Sequence, residues 1–251
     1  MRLKKNRLTR QQLRHRLKSS LLVGTLFILA VVLSVIWVRH SKIDQAYTIH
    51  RKAFLMNEKI WKILQSSKKE SIAKPTPPKG KAPRVNGMLG LKSPLDLAKY
   101  KIQIESGSRT ISLTTTDFHL LPKIGYTTDF RCIEGWSEET QYAGARFVDF
   151  MEAYHVGKKV DGTYFKYVGL ETPDKKYYVS IDMESMLHPQ TVLAYEMNLA
   201  PLSPENGSPL RLIIPIKYGI KSLKRIGRIY FSDKRPPDYW AEKGYDWYSG
   251  L

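Results

Sequence analysis

The sequence predicts an α+β domain of mixed sheets with few helices, preceded by one transmembrane helix. Three observations predict this: an uncharged run near the N-terminus, short β-branched or alternating runs from Tyr100 onward, and few helical stretches among those runs.

The uncharged run is Ser19 to Val38, SSLLVGTLFILAVVLSVIWV. At the rise of an α-helix it spans a hydrocarbon core of roughly 30 Å. Trp37 stands at its exit, where an indole ring favours the interface. Residues 1–18 carry eight Lys or Arg and no acid, whereas only Arg39, Lys42 and Asp44 follow the span closely. The positive-inside rule therefore expects a cytoplasmic tail (1–18), an anchor (19–38) and the rest across the membrane. The alternative is a cleaved signal peptide, which the length of the run and the lack of an A-x-A site disfavour. The expected location is a bacterial cytoplasmic membrane, single-pass, with the domain on the extracytoplasmic side.

Next comes a juxtamembrane helix and linker, 39–86. Ile43, Tyr47, His50, Phe54, Asn57, Trp61 and Leu64 recur at intervals of four and three, the signature of one face of an amphipathic helix. Asn57 is the polar member of that stripe and needs hydrogen-bond partners if it is buried. Ser66 to Asn86 is rich in Lys, Pro and Gly and reads as an extended surface segment.

The domain itself is expected over 87–251. Strand signals lie at 101–105, 110–114, 127–132, 164–170, 177–181, 210–214 and 226–231. One helix is predicted over 144–154 and a short one near 183–187. The 42% hydrophobic content suits a packed core.

The net charge of +18 resembles a nucleic-acid signature, but eight of those charges belong to the tail. The remaining excess is divided between the linker and the C-terminal region, with no nucleic-acid motif, so no nucleic-acid partner is expected. The one cysteine, Cys132, rules out an intramolecular disulfide and leaves inert packing or chemistry. There is no G-x-S-x-G, H-E-x-x-H or P-loop, and the six histidines show no metal-ligand spacing.

What remains is Arg131-Cys132-Ile133-Glu134-Gly135-Trp136, a thiol at a strand end. Downstream stand His188-Pro189, then PENGSPLR at 204–211, PIKYGIKSLK at 215–224, Tyr239-Trp240 and GYDWY at 244–248. Together these resemble the sulfite-oxidase-type molybdopterin-binding domain, and within it the bacterial sulfoxide-reductase-like branch with its R-C-x-E-x-W segment. The likeness covers roughly Asn57 to Leu251.

The resemblance implies a molybdenum–molybdopterin cofactor, with the Cys132 thiolate as metal ligand and catalytic residue. A dithiolene and a thiolate form a soft donor set suited to a redox metal. It further implies cofactor contacts from Asn57, Glu58, Thr172, Asn206, Arg211, Ser222, Leu223 and Lys224. Arg211 offers a planar fork for phosphate, Lys224 a point charge, and the backbone of 222–224 its N–H groups. The bland readings are an ordinary Asn206-Gly207 turn, a surface ion pair at Arg211, and Lys217 and Lys221 on a solvated face. Trp136 and Trp240 are read as packing.

The implied reaction is oxygen-atom transfer on a small sulfur compound, in which sulfoxide reduction is favoured. Sulfite oxidation is the alternative, for which Arg131, Arg146 and Arg211 are available cations. A chain ending at Leu251 leaves no room for the second domain of sulfite oxidases, and it also stops short of the usual reductase length. The implied partner is a membrane or soluble electron carrier, a haem protein among the candidates. The N-terminus departs from the family's export signal in having no Arg-Arg pair. A rival from another class is an anchored binding module that keeps the fold without the metal.

Overall fold

A computed structural model of the chain describes residues 9–43, 45–65 and 84–251. Most of the predicted linker, 66–83, and the first eight residues of the basic tail lie outside the described residues. The chain divides into two compact units, Met1–Lys52 and Ala53–Leu251.

In the first unit, helix α1 runs from Arg10 to His40 and contains the whole predicted span. Thr9 and Gln12 close a reciprocal capping box, Gln12 N–H donating to Thr9 Oγ1 at 3.3 Å and Thr9 N–H to Gln12 Oε1 at 3.0 Å. α1 is long and apolar enough to cross a membrane, and none of that apolar window is buried within the protein. The helix ends at Ser41, whose N–H donates to Trp37 O at 2.9 Å. A tight hairpin of β1 (Lys42–Ile43) and β2 (Ala46–Tyr47) follows. Helix α2 (Thr48–Gln65) then starts beside the cap of α1, Thr48 N–H donating to Ser41 O at 2.9 Å.

From Ala53 onward α2 belongs to the second unit. Its most buried residue there is Glu58, whose carboxylate accepts two bonds of 3.0 Å from Arg235 and pairs with Lys62 at 3.0 Å. Asn57 Nδ2 donates to Asp246 Oδ2 at 3.3 Å. Phe54 and Trp61 are half-buried and Leu64 is exposed. The docked face carries Phe54, Asn57 and Trp61 of the predicted stripe together with Glu58, Trp61 packing against Ala241, Trp247 and Tyr248 beside the ion pair to Arg235.

Among the described residues of this unit, ten strands form two sheets. The first has the order β4 (Arg109–Leu113), β3 (Ile102–Ser106), β12 (Arg228–Ser232), β7 (Tyr167–Glu171), β8 (Tyr178–Asp182), with β12 parallel to β3 and the other pairs antiparallel. The second has β10 (Ala200–Pro201), β9 (Val192–Met197), β6 (Ser137–Arg146), β5 (Lys123–Arg131), with β11 (Arg211–Ile213) also paired to β9. Short helices α3 (Thr115–His119), α4 (Phe147–Ala153), α5 (Met183–Met186) and α6 (Tyr239–Glu242) complete the unit. Both sheets feed one core: Ile102, Ile104, Leu170 and Ile229 from the first, Leu193 and Leu212 from the second, with Phe118, Phe147 and Phe150 from the helices. Fully burying each such side chain contributes about 1.5–3 kcal/mol.

Three strands of these sheets escape the sequence reading, the two-residue β10 and the longer β6 and β9. SEETQYAGAR (β6) is polar and small-residue-rich, and VLAYEM (β9) has one β-branched residue; each is a strand because it pairs on both sides. The helix predicted from Gly144 begins at Phe147, since Gly144 still pairs with Ala194 of β9.

Lys217 and Lys221 do not form a solvated face. Both are almost wholly buried, Lys217 facing Asp182 at 3.1 Å and Lys221 pairing with Asp238. The C-terminal segment closes over Lys217, with Tyr218 N–H donating to Ser249 O at 2.9 Å and the Tyr248 ring centred 3.0 Å from the ammonium. Burial raises the Asp182 carboxyl, but Lys217 and the bonds from Ser185 more than offset that and hold it below the usual carboxylate value.

Removing one partner of a buried ion pair strands the other charge. Lys217→Ala is expected to cost about 3–5 kcal/mol in urea unfolding. A carboxyl with a lowered folded pKa contributes stability that is full above its unfolded value and lost as pH falls through the folded one. The wild type should therefore lose stability at acidic pH more steeply than Lys217→Ala does. Equal acid dependence in the two would show that this pair carries none of it.

Candidate active site

The β5–β6 hairpin pairs Arg131 with Ser137, so Cys132–Trp136 is its five-residue loop. Cys132 N–H donates to Trp136 O at 2.9 Å and Gly135 N–H to Cys132 O at 3.0 Å. The second bond needs Gly135 at φ 89°, a region glycine enters without a Cβ penalty. This clasp fixes Cys132 as the first loop residue, 8% exposed, on the wall of a cleft of about 190 Å³. Asn86 Nδ2 lies 3.7 Å from Cys132 Sγ and donates to Glu134 Oε2 at 3.0 Å; Trp136 Nε1 donates to the same oxygen at 3.1 Å.

Arg211, the first residue of β11, faces the same cleft and is buried. Its Nη1 donates to Asn206 O at 3.0 Å, and the guanidinium carbon lies 5.7 Å from the Phe130 ring centre and 5.3 Å from that of Tyr142. Among the described residues it forms no ion pair, and its Nε has no hydrogen-bond partner. Burial holds its pKa below the ordinary guanidinium value. A buried cation with a spare donor and no carboxylate is suited to an anion.

Asn206 ends a 3₁₀ turn, Pro204–Asn206, capped by Ser203. Gly207 follows at φ 98°, and a Cβ there would stand 2.8 Å from Lys224 Cβ. The Lys224 ammonium donates to the carbonyls of Asn86 (2.6 Å), Glu205 (2.8 Å) and Gly87 (3.2 Å). Burial, helped by the charge of Arg211, lowers its pKa to about 8. Lys224 thus ties the strand of chain at 86–87 to the Asn206 turn.

Of the nine residues expected from the sequence, the cleft brings together Cys132, Asn206, Arg211, Ser222 and Lys224. Ser222 N–H donates to Gly219 O and Leu223 N–H to Lys221 O, each at 3.0 Å, so these two amides are engaged within their own turn. The Leu223 side chain lies in the core. Thr172 is buried in the β7–β8 turn, its hydroxyl donating to Asp174 at 2.7 Å, while Asn57 and Glu58 bind Asp246 and Arg235; none of the three lines the cleft. Arg131 pairs with Asp129 and Arg146 with Asp149, which leaves Arg211 as the one of the three arginines in the cleft.

The sequence reading missed Asn86, Tyr177, Trp136 and Trp240, all lining the cleft. Asn86 was hidden in a segment whose composition reads as a linker. Tyr177 is fixed by donating to Ile220 O at 2.5 Å, and burial pushes its pKa up, so it stays neutral.

Comparison with known proteins gives this cleft its family. The profile described as "Oxidoreductase molybdopterin binding domain" matches residues 90–240. The chain belongs to that family. It is 35% identical over 158 residues to a candidate protein-methionine-sulfoxide reductase subunit of Azospira oryzae, covering 62% of this chain and 58% of that one. The catalytic subunit of a protein-methionine-sulfoxide reductase of Campylobacter jejuni is 29% identical over 171 residues, covering 61% and 56%. The mitochondrial sulfite oxidase of Drosophila melanogaster is 29% identical over 174 residues, covering 60% and 30%. The chain therefore spans a little over half the length of the two reductase relatives. The crystal structure of the sulfane dehydrogenase of Paracoccus pantotrophus shares the fold, with a TM-score of 0.50 at 20% identity over 57% of this chain and 40% of that one.

This oxidoreductase family's cofactor is molybdenum–molybdopterin, and the cleft fits it. Among the described residues no group of three His, Cys, Asp or Glu could hold a metal ion. A metal beside Cys132 must bring most of its donors with it, as a dithiolene cofactor does. The spare donor and uncompensated charge of Arg211 suit the cofactor's phosphate.

Arg211→Leu should lower cofactor affinity by about 2–5 kcal/mol, the cost of truncating a desolvated charge contact. The check is the molybdenum and pterin content of purified protein; unchanged content would remove Arg211 from the site. Gly207→Ala should lose about 1–3 kcal/mol in thermal unfolding, because the new Cβ meets Lys224 at a backbone φ that disfavours it.

Proposed function

We propose that this chain is a membrane-anchored molybdopterin enzyme that reduces sulfoxides, with methionine sulfoxide as the substrate class. The observation that carries the proposal is the single cleft shared by the Cys132 thiol and the uncompensated Arg211 guanidinium. The names of two relatives, both protein-methionine-sulfoxide reductases, support the choice of substrate. The overall reaction consumes a sulfoxide, two electrons and two protons and yields a thioether and water.

Bound here, the cofactor supplies the two-electron redox couple. Cys132 is the thiolate ligand, held in place by its loop clasp. Arg211 anchors the anionic end, its orientation set by Asn206 O and the Phe130 and Tyr142 rings. Ser222 and Lys224 close the same wall. Thr172, Leu223, Asn57 and Glu58 act from outside the cleft by holding the elements that shape it. Phe130, Trp136, Tyr177 and Trp240 give the thioether end an aromatic enclosure. Glu134, fixed by Asn86 and Trp136, is placed to hand on a proton.

In this proposal α1 crosses a bacterial cytoplasmic membrane with the basic tail inside, and the Ala53–Leu251 unit works outside the cytoplasm. The electrons come from a membrane or soluble carrier, of which a haem protein is one candidate. Of the three arginines that the alternative of sulfite oxidation would call on for an oxyanion, Arg131 and Arg146 are paired away from the cleft, which keeps Arg84, Arg211 and Lys224 as its cations.

The deciding experiment uses purified full chain from a molybdenum-replete host. Wild type should contain molybdenum, and Cys132→Ser should lose turnover together with a Mo(V) paramagnetic signal of wild-type form. With a reduced viologen as donor, methionine sulfoxide should be consumed, and sulfite should not reduce an acceptor. Sulfite turnover without sulfoxide turnover would reverse the direction, and a cofactor-bearing protein with neither would indicate a binding module.

A further inference from the structure

Helix α2 turns an apolar face away from the protein. Ile49, Met56 and Ile60, with Ala53 between them, follow one another at intervals of four, three and four and lie 55%, 62% and 47% exposed. This row is diametrically opposite Glu58, the residue by which the helix is docked. A soluble amphipathic helix has one apolar stripe and buries it, whereas α2 half-buries Phe54 and Trp61 on its docked side and still leaves this second apolar row outside.

The charges bordering the row are all of one sign. Lys52 and Lys59 are exposed beside it, and the one acid of α2, Glu58, is buried and paired with Arg235 and Lys62. An outward apolar row flanked by lysines is the composition of a helix lying in a lipid headgroup layer, where side chains enter the acyl boundary and ammonium groups meet anionic lipid. The chain also delivers the helix there. Within the first unit, Thr48 at the start of α2 bonds to Ser41, the C-cap of α1, both through N–H to carbonyl at 2.9 Å and through the paired hydroxyls at 2.7 Å. The first turn of α2 therefore lies at the C-terminal end of the candidate membrane span.

We propose that the Ile49–Met56–Ile60 face of α2 seats on the surface of the bilayer that α1 crosses, making α2 an interfacial helix with its docked face toward Glu58 and its apolar face toward lipid. This rests on the membrane anchoring proposed above.

The test places spin labels on the full chain through Leu29→Cys, Met56→Cys, Lys59→Cys and Ile60→Cys, in vesicles of phosphatidylcholine with phosphatidylglycerol. The unmutated chain corrects for any label on Cys132. Relative accessibility to oxygen and to a water-soluble nickel chelate is then compared. Oxygen-favouring labels at positions 29, 56 and 60, with a nickel-favouring label at 59, are expected. Oxygen preference at 29 alone, with 56 and 60 in water, overturns the seated helix and leaves the anchor standing. A water-exposed position 29 overturns the anchor and this proposal with it. Labels at 56 and 60 shielded from both reagents and broadened by spin–spin coupling would mean that a second copy covers the face, which also overturns it.

Discussion

A guanidinium buried at the head of β11 is costly unless something negative answers it, and no carboxylate does so among the described residues. Arg211 is kept in place by one carbonyl, Asn206 O, and by the faces of Phe130 and Tyr142. Those two rings come from β5 and β6, whose connecting loop carries Cys132. Asn206 in turn belongs to the 3₁₀ turn that Lys224 fastens to residues 86–87. The cation thus holds together the three chain segments that make the cleft, and in the proposed function the cofactor's phosphate would supply the charge that the protein leaves out.

Around that cleft the ionisable groups fall into two kinds. Lys217 with Asp182 and Lys221 with Asp238 are buried but neutralised by the protein itself, and they fasten the C-terminal segment to β8 and to the 215–221 turn. Arg211 is buried without such a partner, and Lys224 is satisfied by carbonyls only. The contrast separates scaffold from site: a charge the fold has already answered stabilises the fold, whereas one it leaves open is available to a ligand. Stability and cofactor retention are therefore expected to respond to different lysines and arginines, although all four groups lie within one sheet-and-loop neighbourhood of the chain.

Much of the architecture was legible in the residues. The apolar run gave the long helix, and the β-branched runs gave most strands to within three or four residues at either end, because alternation and χ1 stiffness act locally. Strands β6, β9 and the two-residue β10 were not legible. SEETQYAGAR has no strand pattern of its own and is a strand only because β5 and β9 flank it. The 144–154 helix was read three residues early for the same reason, pairing with β9 overriding local preference at Gly144. The docked face of α2 shares Phe54, Asn57 and Trp61 with the predicted stripe, but a pattern that weighs apolar residues overlooks Glu58, an acid that meets an arginine 177 positions away.

By itself the sequence determined the chemistry: one thiol at a strand end, an arginine and a lysine at set distances along the chain, and an anchor-like segment ahead of them. It could not determine which of those residues meet. Only the tertiary structure put Cys132, Asn206, Arg211, Ser222 and Lys224 on one cleft, left Thr172, Asn57 and Glu58 off it, and brought in Asn86, Tyr177, Trp136 and Trp240. The physical reason is that side-chain chemistry is a property of the residue, whereas desolvation, charge compensation and enclosure are set by neighbours distant in the chain. Arg211 shows the difference: its guanidinium is written in the sequence, and its unanswered charge exists only in the fold.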